Sequence, residues 1–452
     1  MEGRGWLTVP VSPALRRHRS AMAPLAALLL SLGWARHEAG AEARELQARL
    51  EQIAKFKAAQ YDCAISIAVE MGSGLSLSAG DPGVFVWGSV TKLVTGAALM
   101  QLVAAGKIEL DKPVAPLVDP SLARLGLDSM ASLFGAEARL VTLRHLLSMK
   151  SGIPDYDTAT PFPLPPTDPF RADVYAHPAD TFPPAKLLNL SWVRRGRLDF
   201  SPGRNFSYSS TNFVLAGLML SSLSGASSWD AYEQADLLSP LPQARQAQYA
   251  GIRFSHGSTP AAEGAVGGFD RTNYNGANAS ARPGVDVSSI AGVFGGWTAS
   301  DLVGPAAVVA RLVYDVFGAQ GPRLLAAAQV AEMVPKAKPG TSEFGSIYGL
   351  ATFNLSIMGV TGQSLLSPFS RAYGHLGATY GYDSIVGYFP GIDASIAIAS
   401  NIETDAQIQP SDTLCFVYNA LLAAVRGVPE PKCAFTKRSY FGGSCECVNH
   451  PP

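Results

Sequence analysis

The sequence predicts an α/β domain split by a helical insert, and three observations carry that reading. Strand patterns sit near both ends of the chain, helical patterns fill the middle, and the composition supports a large core. Of 452 residues, 47% are hydrophobic and 16% charged, which fits a globular chain and not a disordered one.

Taken in order, Ala41 to Gln60 spaces Leu46, Leu50, Ile53 and Phe56 at three- and four-residue intervals among charged residues, an amphipathic helix pattern. The period then changes. Cys63 to Glu70 and Gly74 to Ala79 read as short strands joined by a hairpin at Met71-Gly72-Ser73. Val90 to Ala105 is an apolar run interrupted only by Gly96 and stopped by Gly106, which predicts a largely buried helix. Phe213 to Ser222 and Ala306 to Phe317 are further helices. Near the other end, Tyr382 to Phe389 and Ala394 to Asn401 are strands flanking the turn Pro390-Gly391-Ile392-Asp393, and a helix follows from about Asp412 to Arg426. Between Pro154 and Pro202 the prolines Pro161, Pro163, Pro165, Pro166, Pro169, Pro183 and Pro184 predict a long surface loop.

The N-terminus carries Arg16, Arg17, His18 and Arg19 ahead of an apolar stretch from Ala21 to Leu32, then Ala39, Gly40, Ala41 and Ala43. That order reads as a secretory signal peptide over residues 1–41. The apolar run falls short of the roughly 20 residues a spanning helix needs, so no stable membrane span is expected. Five cysteines agree with export: Cys415, Cys433, Cys445 and Cys447 crowd the C-terminus and Cys63 stands alone. Disulfides fit better than zinc, since Cys445 and Cys447 are separated by a single residue and only His450 lies nearby. Which cysteine stays unpaired is open at this level. Sequons begin at Asn189, Asn205, Asn278 and Asn354. With 35 basic and 36 acidic residues the net charge is −1, which argues against a nucleic-acid partner.

Three separated segments could supply nucleophilic chemistry. A serine hydroxyl needs a base within reach and donors aimed at the developing oxyanion. Ser89-Val90-Thr91-Lys92 opens the buried helix, and its three-residue spacing sets both side chains on one helical face. Lys92 lies in an apolar run where burial disfavours the ammonium form. Read without context, Ser89 is a helix cap and Lys92 a solvated charge. The second segment, Phe206 to Asn212, presents Tyr208 as an acid/base beside Ser210. The third, Gly374-His375-Leu376-Gly377-Ala378, is a Gly-rich strand whose N–H groups could polarise a carbonyl.

In order and spacing these segments resemble the β-lactamase-related serine hydrolases, a group that includes class C β-lactamases, D-Ala-D-Ala carboxypeptidases, D-aminopeptidases and esterases. Leu143 to Tyr156, Gly295 to Leu302 and Tyr348-Gly349-Leu350 add to the match, which runs from about Cys63 to about Arg426. The resemblance implies the transpeptidase-like fold of β-lactamases and penicillin-binding proteins: an antiparallel sheet flanked by helices, an inserted mostly helical lobe, and a cleft between them. The hydrolase domain would span 42–428, with α/β parts at about 42–110 and 340–428, a helical lobe at about 111–339, and a Cys-rich tail at 429–452. It also implies Ser89 as acylated nucleophile, Lys92 as its base, Tyr208 as acid/base, and Ser210, His375, Gly377 and Ala378 as substrate-binding or oxyanion residues, with the N–H groups of Ser89 and Ala378 forming the oxyanion hole. No metal or cofactor is expected.

Two departures bear on substrate. Ser210 stands where the family commonly has Asn, and Leu376 where it commonly has Thr or Ser, so both the amide grip and the carboxylate clamp are weakened. These departures favour an esterase or amidase acting on less charged acyl substrates, small-molecule or peptide, over a strong β-lactamase or a classical carboxypeptidase. The competing reading is a secreted binding or scaffold protein that keeps the fold without turnover. An α/β-hydrolase would want a Gly-x-Ser-x-Gly elbow and a zinc peptidase a His cluster, and the sequence has neither.

Overall fold

The computed structural model describes residues 25–158, 168–273, 282–321, 323–336, 347–405, 407–433, 435–438 and 444–447. The chain divides into two units, Met1–Glu45 and Leu46–Pro452. In the first, the described residues are helical from Leu25. Everything below concerns the second.

Six strands form one antiparallel sheet: β1 (Ile65–Met71), β2 (Ser76–Gly80), β3 (Phe353–Asn354), β4 (Tyr373–Thr379), β5 (Tyr382–Phe389) and β6 (Ala394–Ser400), in spatial order β2-β1-β6-β5-β4-β3. The antiparallel sheet flanked by helices is the architecture expected from the sequence. Both ends of the chain contribute, because β1 pairs directly with β6. β1, β5 and β6 are buried along their whole length, so both faces of the sheet are covered.

Register separates the two faces. Ile67, Ile398, Ile385 and Leu376 align in one row across β1, β6, β5 and β4, while Ala68, Ala397, Val386 and His375 align in the neighbouring row on the opposite face. The Ile-rich face packs against helix Ile408–Arg426, where Phe389 meets Tyr418 at 4.8 Å. The face of small residues takes helix Ala306–Phe317, whose Ala310 carbonyl accepts from Ser395 Oγ at 2.7 Å. Small side chains there let a helix backbone lie close to the strands.

We label the helices named below α1 (Leu25–Tyr61, of which only Leu46 onward belongs to this unit), α2 (Thr91–Ala104) and α3 (Thr211–Ser224); α2 and α3 position the site. α2 and α3 pack on each other and on the turn Trp297–Ala299. Gly217 of α3 makes that packing possible, since a Cβ there would lie 2.2 Å from Thr298 Oγ1.

The Pro154–Pro202 stretch corrects one expectation. Pro161 to Pro166 fall outside the described residues, but Pro169–Ala176 and Pro184–Leu188 are short helices with Phe170, Val174, Leu187 and Leu188 buried. Pro169 and Pro184 occupy the first helical turn, where a missing N–H is harmless, and Asp168 caps the first of these helices. Proline marked a helix start, not a loop.

Cys415 and Cys433 form a disulfide, while Cys63 is free and burial pushes its thiol up to about 12. The side chains of Cys445 and Cys447 lie outside the described residues. Among the sequons, Asn189 and Asn205 are exposed, Asn354 is buried, and Asn278 is outside the described residues. Among the described residues no helix is long and apolar enough to cross a membrane.

Candidate active site

Ser89 sits in a single 3-10 turn, Gly88–Val90, that runs directly into α2. Several contacts hold this turn against the sheet. Ser384 Oγ donates to the Trp87 carbonyl at 3.0 Å, and Thr91 Oγ1 donates to the Gly88 carbonyl at 2.7 Å while accepting from Leu302 N at 2.9 Å. A Cβ on Gly377 would lie 2.1 Å from Trp87 O. That glycine therefore admits the backbone leading to Ser89 rather than a substrate. Gly88, at φ +51°, has its own Cβ position 2.7 Å from Ala378 O.

The last contact orients the strand edge. β3 pairs with β4 only at Tyr373 and Gly374, leaving the edge beyond them to face Trp87–Ser89. In a strand the N–H and C=O of one residue point to the same edge, so Ala378 N–H points toward the Ser89 turn along with its carbonyl.

Lys92 is fully buried, with Nζ 2.7 Å from Ser89 Oγ and donating to Ala299 O at 3.0 Å. Neither contact is a counter-charge, and among the described residues Lys92 makes no ion pair. Burial lowers Lys92 to about 8, against an opposing pull from Asp155 and Asp157. The carbonyl that holds it is fixed by neighbours: Thr95 Oγ1 donates to Thr298 O, and Thr298 Oγ1 to Phe213 O. Tyr208 approaches from α3's N-terminal side, its ring centroid 5.1 Å from Lys92 Nζ and its plane stacked on Phe353.

Ser210 is 2% exposed. Its N–H donates to Asp155 Oδ1 at 2.8 Å, and its hydroxyl has no hydrogen-bond partner among the described residues. Asp155 also accepts from Thr158 Oγ1. Burial, with Asp157 adding to it, raises Asp155 to about 7.

An open cleft meets this machinery, with Ser89, Ser210 and Ala378 in its wall. His375 and Gly377 are outside the wall. His375 is wholly buried, its Nε2 2.8 Å from Tyr348 Oη and its Nδ1 against the Leu376 carbonyl. Burial, helped by the nearby Lys92, lowers it to about 3, so the ring is neutral at physiological pH. Leu376 belongs to the Ile-rich row on the far face of the sheet. Neither residue presents a charge to the cleft.

Several residues of the wall were not singled out from sequence: Tyr156, Asp157, Arg171, Tyr380 and Glu403. Asp155 and Tyr156 ended a segment that the family resemblance had already marked. Arg171 and Glu403 are 232 residues apart and carry no local signal.

A hydroxyl beside a buried amine, at the start of a helix set against an antiparallel sheet edge, defines the class: the serine-hydrolase superfamily of β-lactamases and penicillin-binding proteins. The β-lactamase family profile matches residues 82–414, and the chain belongs to that family. Among solved structures, it is similar in fold to a D-stereospecific amidohydrolase from Streptomyces sp., with 21% identity, 84% of this chain and 98% of that one covered, and a TM-score of 0.57. A D-amino acid amidase from Ochrobactrum anthropi SV3, complexed with D-phenylalanine, aligns at 18% identity over 85% and 99% of the two chains with a TM-score of 0.60. The octameric penicillin-binding protein homologue from Pyrococcus abyssi aligns at 20% identity over 85% and 78%, with a TM-score of 0.57.

Proposed function

We propose that this protein hydrolyses esters or amides through a covalent acyl-enzyme on Ser89. The observation that carries the reading is the buried Lys92 amine, 2.7 Å from Ser89 Oγ and without a carboxylate partner among the described residues. An amine so placed takes the Oγ proton as Oγ attacks the substrate carbonyl carbon. The new C–O bond leaves a tetrahedral oxyanion between the N–H groups of Ser89 and Ala378. Collapse breaks the bond to the alcohol or amine, which departs with a proton delivered from Lys92 by way of Tyr208. Water then attacks the ester, the same groups take its proton, and Ser89 is restored as the acid leaves.

Amide-cleaving neighbours in fold support the same bond type. Burial of His375 and the placement of Leu376 support substrates without a carboxylate to be clamped. The basic-then-apolar N-terminus and the Cys415–Cys433 bridge support a secreted, lumenal or periplasmic location.

The test is labelling of the full chain by a fluorophosphonate and by a fluorescent penicillin, read by intact mass with Ser89→Ala as control. We expect Ser89-dependent labelling by the phosphonate in preference to the penicillin. A folded protein labelled by neither would mean a non-catalytic relative.

A further inference from the structure

The short helix Leu143–Leu147 ends two residues before Met149, which is wholly buried at φ +59°. A residue other than glycine seldom adopts that left-handed backbone, and it persists only where the surroundings fix it. The segment that carries Tyr208 meets Met149 there. The Met149 carbonyl accepts from Ser207 N–H at 3.0 Å, and its thioether Sδ accepts from Ser209 N–H at 3.4 Å. The backbone donors immediately before and after Tyr208 therefore both end on one residue.

Further contacts tie the sulfur to the start of α3. Asn212 Nδ2 donates to the same Sδ at 3.6 Å, while Asn212 Oδ1 accepts from Ser151 Oγ at 2.6 Å. Asn212 and Ser151 are buried with Met149. The side chain of Ser209 does not share in this, since its hydroxyl is buried without a partner among the described residues. A thioether is a weak acceptor. In a site closed to water it is nonetheless the acceptor that Ser209 N–H and Asn212 Nδ2 are given, and an alkyl side chain in its place would leave both unsatisfied.

We infer that Met149 is a positioning residue for Tyr208: its sulfur and carbonyl hold the backbone on both sides of the tyrosine and so keep the ring stacked on Phe353, with its centroid 5.1 Å from Lys92 Nζ. The inference rests on the serine-hydrolase reading for what the phenol does, and not for the contacts that place it. Proton transfer through a phenol needs heavy atoms within hydrogen-bond reach, and a misplacement of about 1 Å costs roughly a hundredfold in rate. Loss of the anchor therefore slows the reaction without loosening the hold on substrate.

The experiment uses the full chain as Met149→Leu, Met149→Gln, Tyr208→Phe and the Met149→Leu/Tyr208→Phe double variant, with hydrolysis of p-nitrophenyl acetate and amide hydrogen exchange as readouts. Leucine keeps an apolar side chain and removes the acceptor, so we expect exchange across Ser207–Asn212 to rise about tenfold while that of α2 is unchanged. The same variant should lower kcat about tenfold with KM held within about twofold. Met149→Gln, which returns an acceptor, should recover most of both. In the Tyr208→Phe background Met149→Leu should cost less than about twofold more, because a residue acting through the phenol has nothing left to act on. Unchanged exchange in Met149→Leu, or single losses that multiply in the double variant, would overturn the inference. Should Met149→Leu fail to fold, Met149→Gln decides: turnover near wild type upholds the inference, and turnover as low as that of Tyr208→Phe overturns it. Undiminished turnover by Ser89→Ala would instead sink the serine-hydrolase reading, and the exchange measurement would still decide whether Met149 anchors the segment.

Discussion

Among the described residues two lysines are completely buried, and they are buried in opposite ways. Lys57, on α1 against helix Ile408–Arg426, donates to Asp412 at 2.5 Å and to Gln60 at 3.0 Å, lies 4.0 Å from the centre of the Phe416 ring, and shares Asp412 with Tyr61 Oη. Lys92, on α2, has a hydroxyl and a carbonyl instead. A buried ammonium is tolerable when a carboxylate is buried against it; where only neutral dipoles touch it, the proton is held weakly and the amine becomes a base near neutral pH. On the proposed serine-hydrolase reading the same residue type is thus a strut in one place and a reagent in the other, according to whether a carboxylate has been brought to it.

Parallel substitutions break the comparison most sharply. Lys92→Met should cut the rate of Ser89 labelling by about 10²–10⁴-fold while leaving the urea midpoint near its original value, because a hydrophobe of similar length suits an apolar site. Lys57→Met should do the reverse, lowering stability by about 3–5 kcal/mol because Asp412 is left buried without its cation, with labelling per folded molecule unchanged. Equal effects of the two substitutions on labelling would remove the distinction.

Tyr208→Phe tests whether the phenol, and not only the ring stacked on Phe353, serves the reaction. The expected loss in turnover is about 10²-fold, with substrate affinity largely kept; a loss confined to KM would make Tyr208 a packing residue.

The helix that supplies Asp412 also carries Cys415, whose bridge to Cys433 closes a loop with a sequence separation of 18. Cys433→Ser should lower stability by about 3 kcal/mol and, like Lys57→Met, leave labelling of folded molecules intact. Chemical denaturation beside a labelling assay measures both.

The smallest effect is on pH. Lys92 is lowered to about 8, so its base form grows as pH rises through that value, and the phosphonate labelling rate should climb between about pH 6 and 9. Asp155, raised to about 7, titrates in the same range, and the profile belongs to the pair. The Asp155 charge pulls Lys92 upward, so Asp155→Asn should shift the midpoint to lower pH; a shift upward would contradict the electrostatic account.

The residues differ in how visible they were before the structure. Ser89 and Lys92 are three apart on one helix, so their pairing is a local fact written into a short segment. The hairpin strands and α2 were equally readable, because alternation and apolar runs act over a few residues. Ala299, by contrast, meets Lys92 across 207 residues and through a backbone carbonyl, which any residue type would provide. His375 was readable as a residue of a Gly-rich strand but not as a buried one. Its direction depends on strand register, and a shift of one residue exchanges the two faces. The prolines near Pro169 misled because proline is compatible with a helix start as well as with a loop, and only Asp168 capping two N–H groups decides between them.

By itself, then, the sequence determined the strand and helix patterns, the pairing of Ser89 with Lys92 and the family, since each depends on neighbours along the chain or on a short motif. Tertiary structure alone decided that Lys92 has a carbonyl and Lys57 a carboxylate, that Gly377 makes room for Trp87, and that Arg171 is matched by Glu403 and Asp270 at the cleft wall. The physical reason is common to all of these: burial and charge pairing are set by which distant segments close on one another, and in a low-dielectric interior those partners decide whether an ionisable group is a reagent or a support.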